Sequence, residues 1–230
     1  MPDRSTFDDA RAAMSAAWER GTSLCDPFLG LLPIAGAAVS LLGTRVGQST
    51  LCASNDAAAR LDEMQFDAGD GPCWQSMQAR RIVAAPDLRV EDHPEWPGFM
   101  EALHDDPIGA EIASMYAFPL VAGSLEIGAI DLYSGQADAL SVPEVRQAEA
   151  LAKIASWQVL RRILADDEPE AGARPRREVN QATGMVLAQL NVSAQDAELL
   201  LKAHAYSMGK PVLEIATDVI ERRLDFSGQE

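Results

Sequence analysis

The chain has no long apolar run, no paired cysteines and few basic residues. Of its 230 residues, the longest apolar-looking stretch, residues 30–43, is broken by Pro33. It falls short of the ~20 residues that a membrane-spanning helix needs. The opening MPDRSTFDDA lacks the charged-then-apolar layout of a secretory signal. A cytoplasmic protein with no membrane partner is therefore expected. Cys25, Cys52 and Cys73 are odd in number, widely spaced and free of any CxxC. They suggest neither a disulfide framework nor a zinc ribbon. His93 and His104 lack the helical i, i+4 spacing of paired metal ligands. No nucleophile–base pair or metal cluster argues for catalysis, so the chain is not expected to be an enzyme, and the residues identify no cofactor.

What is present is ordinary for a globular protein: 47% of residues are apolar and 23% charged, a balance that excludes disorder along the whole chain. The 19 basic and 35 acidic residues are unevenly spread. Residues 1–173 hold 12 basic against 27 acidic side chains, whereas residues 174–226 hold seven of each. An acidic body repels a polyanion and a neutral tail does not, so any nucleic-acid partner must meet the tail.

Residues 6–20 read as an amphipathic helix, with Phe7, Ala10, Met14, Ala17 and Trp18 at helical spacing and Gly21 beyond its end. Residues 34–42 and 49–54 read as a hairpin around the turn at 43–48. Asn55 and Asp56 cap a helix through 57–66, Pro72 opens another that ends near Arg80, and 81–84 is a brief strand. Residues 85–110 are loop-rich around one short helix. A second hairpin joins 115–121 to 125–133. Ser141-Val-Pro-Glu144 is a capping box before a long helix. That helix is apolar on too many sides for one stripe. The seam Ala148, Ala152, Ala155 and Val159 and the apolar stripe of the first helix are offered to a second copy, which predicts a homodimer through the helices flanking the domain.

Residues 166–175, charged and carrying two prolines, form the linker. Three helices follow: 176–190, one capped by Ser193 and ending at Gly209, and 211–224. Their expected apolar faces are Val179, Ala182, Val186 and Leu190 in the first, and Ala197, Leu200, Leu201, His204 or Ala205, and Met208 in the second.

Residues 32–164 resemble a GAF domain, through "AGAAVSLLG", "FDAGDGPCWQS" and "FPLVAGSLEIGAIDLYSG". Residues 176–223, through the Gln181-Ala-Thr-Gly184 run, the Leu-Leu-Leu run and the third helix at the family's spacing, resemble an ANTAR domain. ANTAR domains are the RNA-binding modules of transcription antitermination regulators. The expected architecture is an N-terminal helix region (1–31), an α+β GAF domain with an antiparallel sheet flanked by helices (32–165), the linker (166–175), and an all-α three-helix ANTAR domain (176–226). The resemblance implies a regulator that binds paired hairpins in nascent RNA, its GAF domain sensing an unknown signal, through a small-molecule ligand, or mediating dimerisation.

Arg176, Arg177, Gln181, Thr183, Lys202, His204, Lys210 and Arg222 are the RNA-binding candidates. Thr183 stands where the family commonly has a lysine, and His204 where it has an aromatic residue. His204 is preferred over Tyr206, because two residues apart on a helix they cannot share a face. In the GAF part, Cys73 enters a helix's first turn, where the dipole lowers a thiol's pKa, and is the redox candidate, with a small buried hydrophobe as the reading its residue type favours. Asp131 is a ligand-holding candidate, with a solvent-facing strand position as the alternative. A DNA-binding regulator with the same sensor and a GAF-fold thiol sensor or reductase are the rival functions.

Overall fold

This computed structural model describes residues 4–42, 48–90, 92–165 and 174–228. The first strand, Gly36–Leu41 (β1), is buried along its whole length, because small and branched side chains let helices cover both of its faces. It pairs antiparallel with Ser49–Ala53 (β2) and with Leu125–Ser134 (β5). Ser114–Ala122 (β4) joins β5, and Val83–Ala85 (β3) closes that edge. At the far edge Arg174–Pro175 (β6) pairs with β2, giving the order β3-β4-β5-β1-β2-β6.

Alternate residues of the central strands feed two cores. Phe118, Leu120, Ile130 and Leu132 face three helices, Arg4–Arg20 (α1), Asp26–Leu31 (α2) and Val142–Ala165 (α6). Met115, Ala117 and Tyr133 face Asp56–Ala68 (α3) and Pro97–Asp105 (α5), with Leu61, Met64 and Phe99 filling the space. A further helix, Pro72–Ala79 (α4), packs against β4 and β5. A sheet covered on both faces shows no polar–apolar alternation.

Local signals placed most elements. Asn55 accepts from the Ala58 amide and caps α3. Glu144 accepts from the Ser141 backbone amide at 2.8 Å and from its hydroxyl at 2.5 Å, completing the capping box of α6. The local signals did not mark α2, which begins directly after the buried Cys25. Two expectations need correction. Of the expected linker, residues 166–173 lie outside the described residues, as do 43–47 of the first turn, and 174–175 form β6. The stripe of α1 and the seam Ala148, Ala152, Ala155 and Val159 are buried within the chain: α1 packs on α6 and α6 on β4. The side chain of Trp18 lies outside the described part.

The chain divides into two compact units, Met1–Pro175 and Arg176–Glu230. The second consists of Arg177–Leu190 (α7), Ala194–Met208 (α8) and Val212–Ile220 (α9). The Ser193 hydroxyl accepts from the Asp196 amide and caps α8. Val179, Ala182 and Val186 of α7 pack with Ala197, Leu201 and Ala205 of α8 and with Ile215, Ala216 and Val219 of α9. Leu200 and Met208, expected in this core, are exposed, and α9 ends before the expected 224.

Asn55 also accepts from the Tyr133 hydroxyl and donates to the Ala35 carbonyl. Asn55→Ala removes the cap and both tethers between α3 and the sheet. It should cost ~1–2 kcal/mol, measured as a lower urea midpoint with unchanged slope.

Candidate functional site

The most unusual chemistry of the first unit lies where α3 meets the sheet. Ala58, Asp62 and Gln65 recur at i, i+4, i+7 and are all buried, so α3 turns a carboxyl and an amide toward the strands. A bulge between Val39 and Ser40 sets Ser40 opposite Thr50, and both hydroxyls donate to Asp62 Oδ2, Thr50 at 2.8 Å. Gln65 Nε2 donates to Asp131 Oδ2 at 2.6 Å from the neighbouring strand. Its Oε1 accepts the Cys73 amide at 2.8 Å, one of the orphan donors at the start of α4. The Trp74 indole donates to the Gln65 carbonyl at 2.8 Å.

The loop between α3 and α4 serves this arrangement. Gly71 has φ +125°, and a Cβ there would meet the Gln65 side chain at 2.7 Å. Only glycine fits. Asp70 accepts from the amides of Gly98 and Phe99 at 2.9 and 2.7 Å and so fixes the start of α5.

One oxygen of each carboxyl, Asp62 Oδ1 and Asp131 Oδ1, is buried with no hydrogen-bond partner. Burial pushes the Asp62 carboxyl up to about 6, against the lowering effect of the Ser40 and Thr50 hydroxyls. Burial, and then the Asp62 charge, push Asp131 well above the usual carboxylate range, opposed by Gln65. The pair therefore retains a proton that an exposed carboxylate would release, and two acceptor positions point into the interior. Such a site suits a proton or a ligand rich in hydrogen-bond donors. Among the described residues, no group of three or more His, Cys, Asp or Glu side chains is arranged to hold a metal ion.

This geometry decides between the two readings of Asp131: it is buried, not solvent-facing. It also decides between the two readings of Cys73, in favour of the small buried hydrophobe. Burial, followed by the charges of Asp131 and Asp62, pushes that thiol well above its usual value and outweighs the first-turn amides. A buried thiol with a raised pKa is a poor nucleophile. Cys25 lies beside Cys52, its Sγ 3.4 Å from the Cys52 carbonyl, and all three thiols are free and buried.

The family model described as a GAF domain matches residues 14–156. The chain belongs to the GAF domain family. The GAF domain is a signalling and sensor domain, and its match begins within α1, inside the region first set apart as 1–31. Among solved structures, the GAF domain of Acinetobacter phosphoenolpyruvate-protein phosphotransferase is 11% identical, with 71% of this chain and 97% of that one covered at a TM-score of 0.52. The chromophore-binding domain of an unusual bacteriophytochrome from R. palustris is 8% identical, over 73% and 65% of the two chains, at 0.50. A type II free methionine-R-sulfoxide reductase from Thermoplasma acidophilum is 18% identical, over 68% and 96%, at 0.43. At these identities the likeness is one of fold. No curated protein matches the chain. No described helix is long and apolar enough to cross a membrane.

The tail candidates sort by exposure. Arg176 is only 7% exposed. Lys202 is half-buried and pairs with Glu198 at 3.1 Å, and Lys210 pairs with Glu214 at 2.5 Å. Thr183 turns its hydroxyl back to the Val179 carbonyl at 2.7 Å. His204 packs edge-on against Phe226, ring centroids 5.4 Å apart, and the exposed aromatic of α8 is Tyr206, at 75%. Arg177, Gln181 and Arg222 are exposed.

The pH dependence of stability tests the carboxyl pair. The folded chain holds the Asp62 proton to about pH 6, whereas the unfolded chain releases it near 3.8. The folded state therefore binds more protons across that window, and stability falls as pH rises through it. Asp62→Asn keeps an acceptor and removes the titration. The variant should gain on wild type by on the order of 3 kcal/mol between pH 4 and 7 in urea melts. Parallel pH profiles would show that Asp62 is not the group.

Proposed function

We propose that the chain is an RNA-binding regulator of transcription antitermination. On this reading the GAF domain senses a signal at the Asp62–Asp131 site or holds a homodimer, and the three-helix unit acts as an ANTAR module on paired hairpins in nascent RNA. The observation that carries the RNA reading is on α7. Arg177, Gln181, Gly184 and Ala188 follow at i, i+4, i+7 and i+11 and are all exposed, with the exposed Asn180 one turn before Gly184. Gly184 has nothing within 4 Å of an added Cβ, so the internal packing does not require a glycine there. In mid-helix it costs roughly 1 kcal/mol relative to alanine. A glycine without an internal reason, preceded by a guanidinium and two amides on the same face, suits a partner that approaches the backbone closely. The small side chain of Ala188 leaves the next turn equally open. An RNA loop read by phosphate contacts and polar groups is such a partner. The even charge of the tail disfavours duplex DNA, which draws on a basic face.

The dimer reading moves to a different seam of α6. Trp157 is 58% and Leu164 76% exposed. With Ala150, Lys153 and Leu160 they follow at spacings of three, four, three and four, as a helix–helix contact requires. Trp157→Glu should convert the dimer to a monomer in sedimentation at micromolar concentration. A wild-type monomer at that concentration would exclude the seam.

Gel shifts with a two-hairpin RNA and a duplex DNA of equal length test the main proposal. Arg177→Glu should weaken hairpin binding at least tenfold with native circular dichroism. Gly184→Ala should stabilise the tail by roughly 1 kcal/mol and still weaken binding. Preferential binding to the duplex, or hairpin affinity unchanged in both variants, would overturn it.

A further inference from the structure

A second site lies on the opposite face of the sheet from the carboxyl pair. There α6, Phe118, Pro119 and Val121 of β4 and the segment after α4 line a half-open pocket of about 260 Å³. Its floor is apolar, from Ile82, Phe118 and Val121. Its charged lining among the described residues is Arg80, Arg81, Lys153 and Glu149, and Glu126 lies beside Arg80. This is against the trend of the chain, since residues 1–173 carry 27 acidic and 12 basic side chains, and three of those 12 converge here.

The cations are held in different ways. Arg80 donates Nη2 to the Gly123 carbonyl at 2.5 Å, in the turn between β4 and β5, and Nη1 lies 4.0 Å from Glu126. It does so from a left-handed backbone, φ +53°, at the end of α4, a conformation an arginine adopts at a cost. Lys153 pairs with Glu149 at 2.8 Å across one turn of α6, so an anion here competes with that carboxylate for the lysine. Arg81 follows directly on the anchored Arg80 and is exposed. Ser156 is already satisfied, donating to Ala152 and accepting from the Val121 amide, so it leaves the specificity to the cations and the apolar floor.

We propose that this cavity binds a small organic oxyanion, a phosphate monoester or carboxylate with a compact apolar body. Guanidinium forks match the planar or tetrahedral oxygens of such groups. The apolar wall excludes water from the other end of the ligand, and the volume admits a body of about one aromatic ring. The site is independent of the carboxyl pair and of any RNA contact.

Calorimetric titration of the full chain tests this with four probes: phenyl phosphate, benzoate, phenol and inorganic phosphate. Phenyl phosphate or benzoate should bind at submillimolar concentration, at least tenfold tighter than phenol and inorganic phosphate, and whichever is tighter names the head group. The double variant Arg81→Gln, Lys153→Gln should weaken that binding at least tenfold, because both side chains are exposed and their loss leaves the fold intact. The exposed Arg146→Gln on α6, outside the cavity, controls for general charge and should leave affinity unchanged. Three results would each overturn the proposal: no binding of either organic anion, equal binding of inorganic phosphate, or equal losses in the Arg146 control and the double variant.

Discussion

The side-chain amide of Gln65 ties three elements of the GAF domain together. Its nitrogen donates to Asp131 on β5, its oxygen accepts the first free amide of α4, and its own backbone belongs to α3. A carboxylate could not take this place, since it has no donor for Asp131, and a hydrocarbon would leave the Cys73 amide and the Asp131 carboxyl buried and unmet. Unmet buried polar groups cost ~1–3 kcal/mol each. The glycine at 71 follows from the same amide, because its missing Cβ is the space the amide occupies. Helix placement and loop composition therefore depend on one two-sided hydrogen-bonding group.

Around that tie the polar groups are unevenly satisfied. Asp62 Oδ2 receives two hydroxyl donors while Oδ1 receives none, and Asp131 repeats the pattern with one donor. A purely structural network gains most from full satisfaction. Two half-met carboxyls therefore store a preference for a proton or for a donor-bearing guest. Cys73, between them electrostatically, is made less reactive by the same charges that define the site. The arrangement disfavours thiol chemistry at Cys73.

Much of the architecture was legible because it is written locally. Asn55, the Ser141–Glu144 box and the Ser193 cap each announce a helix within four residues, and each forms its bond in the structure. What was not legible depends on tertiary cover. Asp131 gave no sign of burial, because alternation distinguishes faces only when one face is wet, and β5 is covered on both from Ile127 onward. Asp62 and Gln65 were not singled out in the sequence of α3. The signal that could have found them was their spacing from Ala58 on an otherwise apolar face. On α6, abundant apolar residues offered two seams, and only the packing of α1 and β4 shows which is consumed. The two residues of β6 read as linker because an Arg-Pro pair carries no strand signal of its own.

The tail shows the same limit in its charges. Counting cations marked Arg176, Lys202 and Lys210 as equals of Arg177, yet one is buried and two are paired with acids one turn away. Such surface pairs contribute little to stability, but each lowers the cation's availability to a phosphate, which must compete with the nearby carboxylate. A polyanion would therefore meet Arg177 and Arg222 more strongly than the lysines. The exposed stripe of α7 sets the amides of Asn180 and Gln181 and the bare backbone of Gly184 beside a single guanidinium. Such a surface gains little from long-range attraction and relies on close fit. On the proposed RNA reading, such a surface suits a folded loop presenting bases and 2′-hydroxyls at fixed positions better than a uniform duplex, whose main offering is its charge.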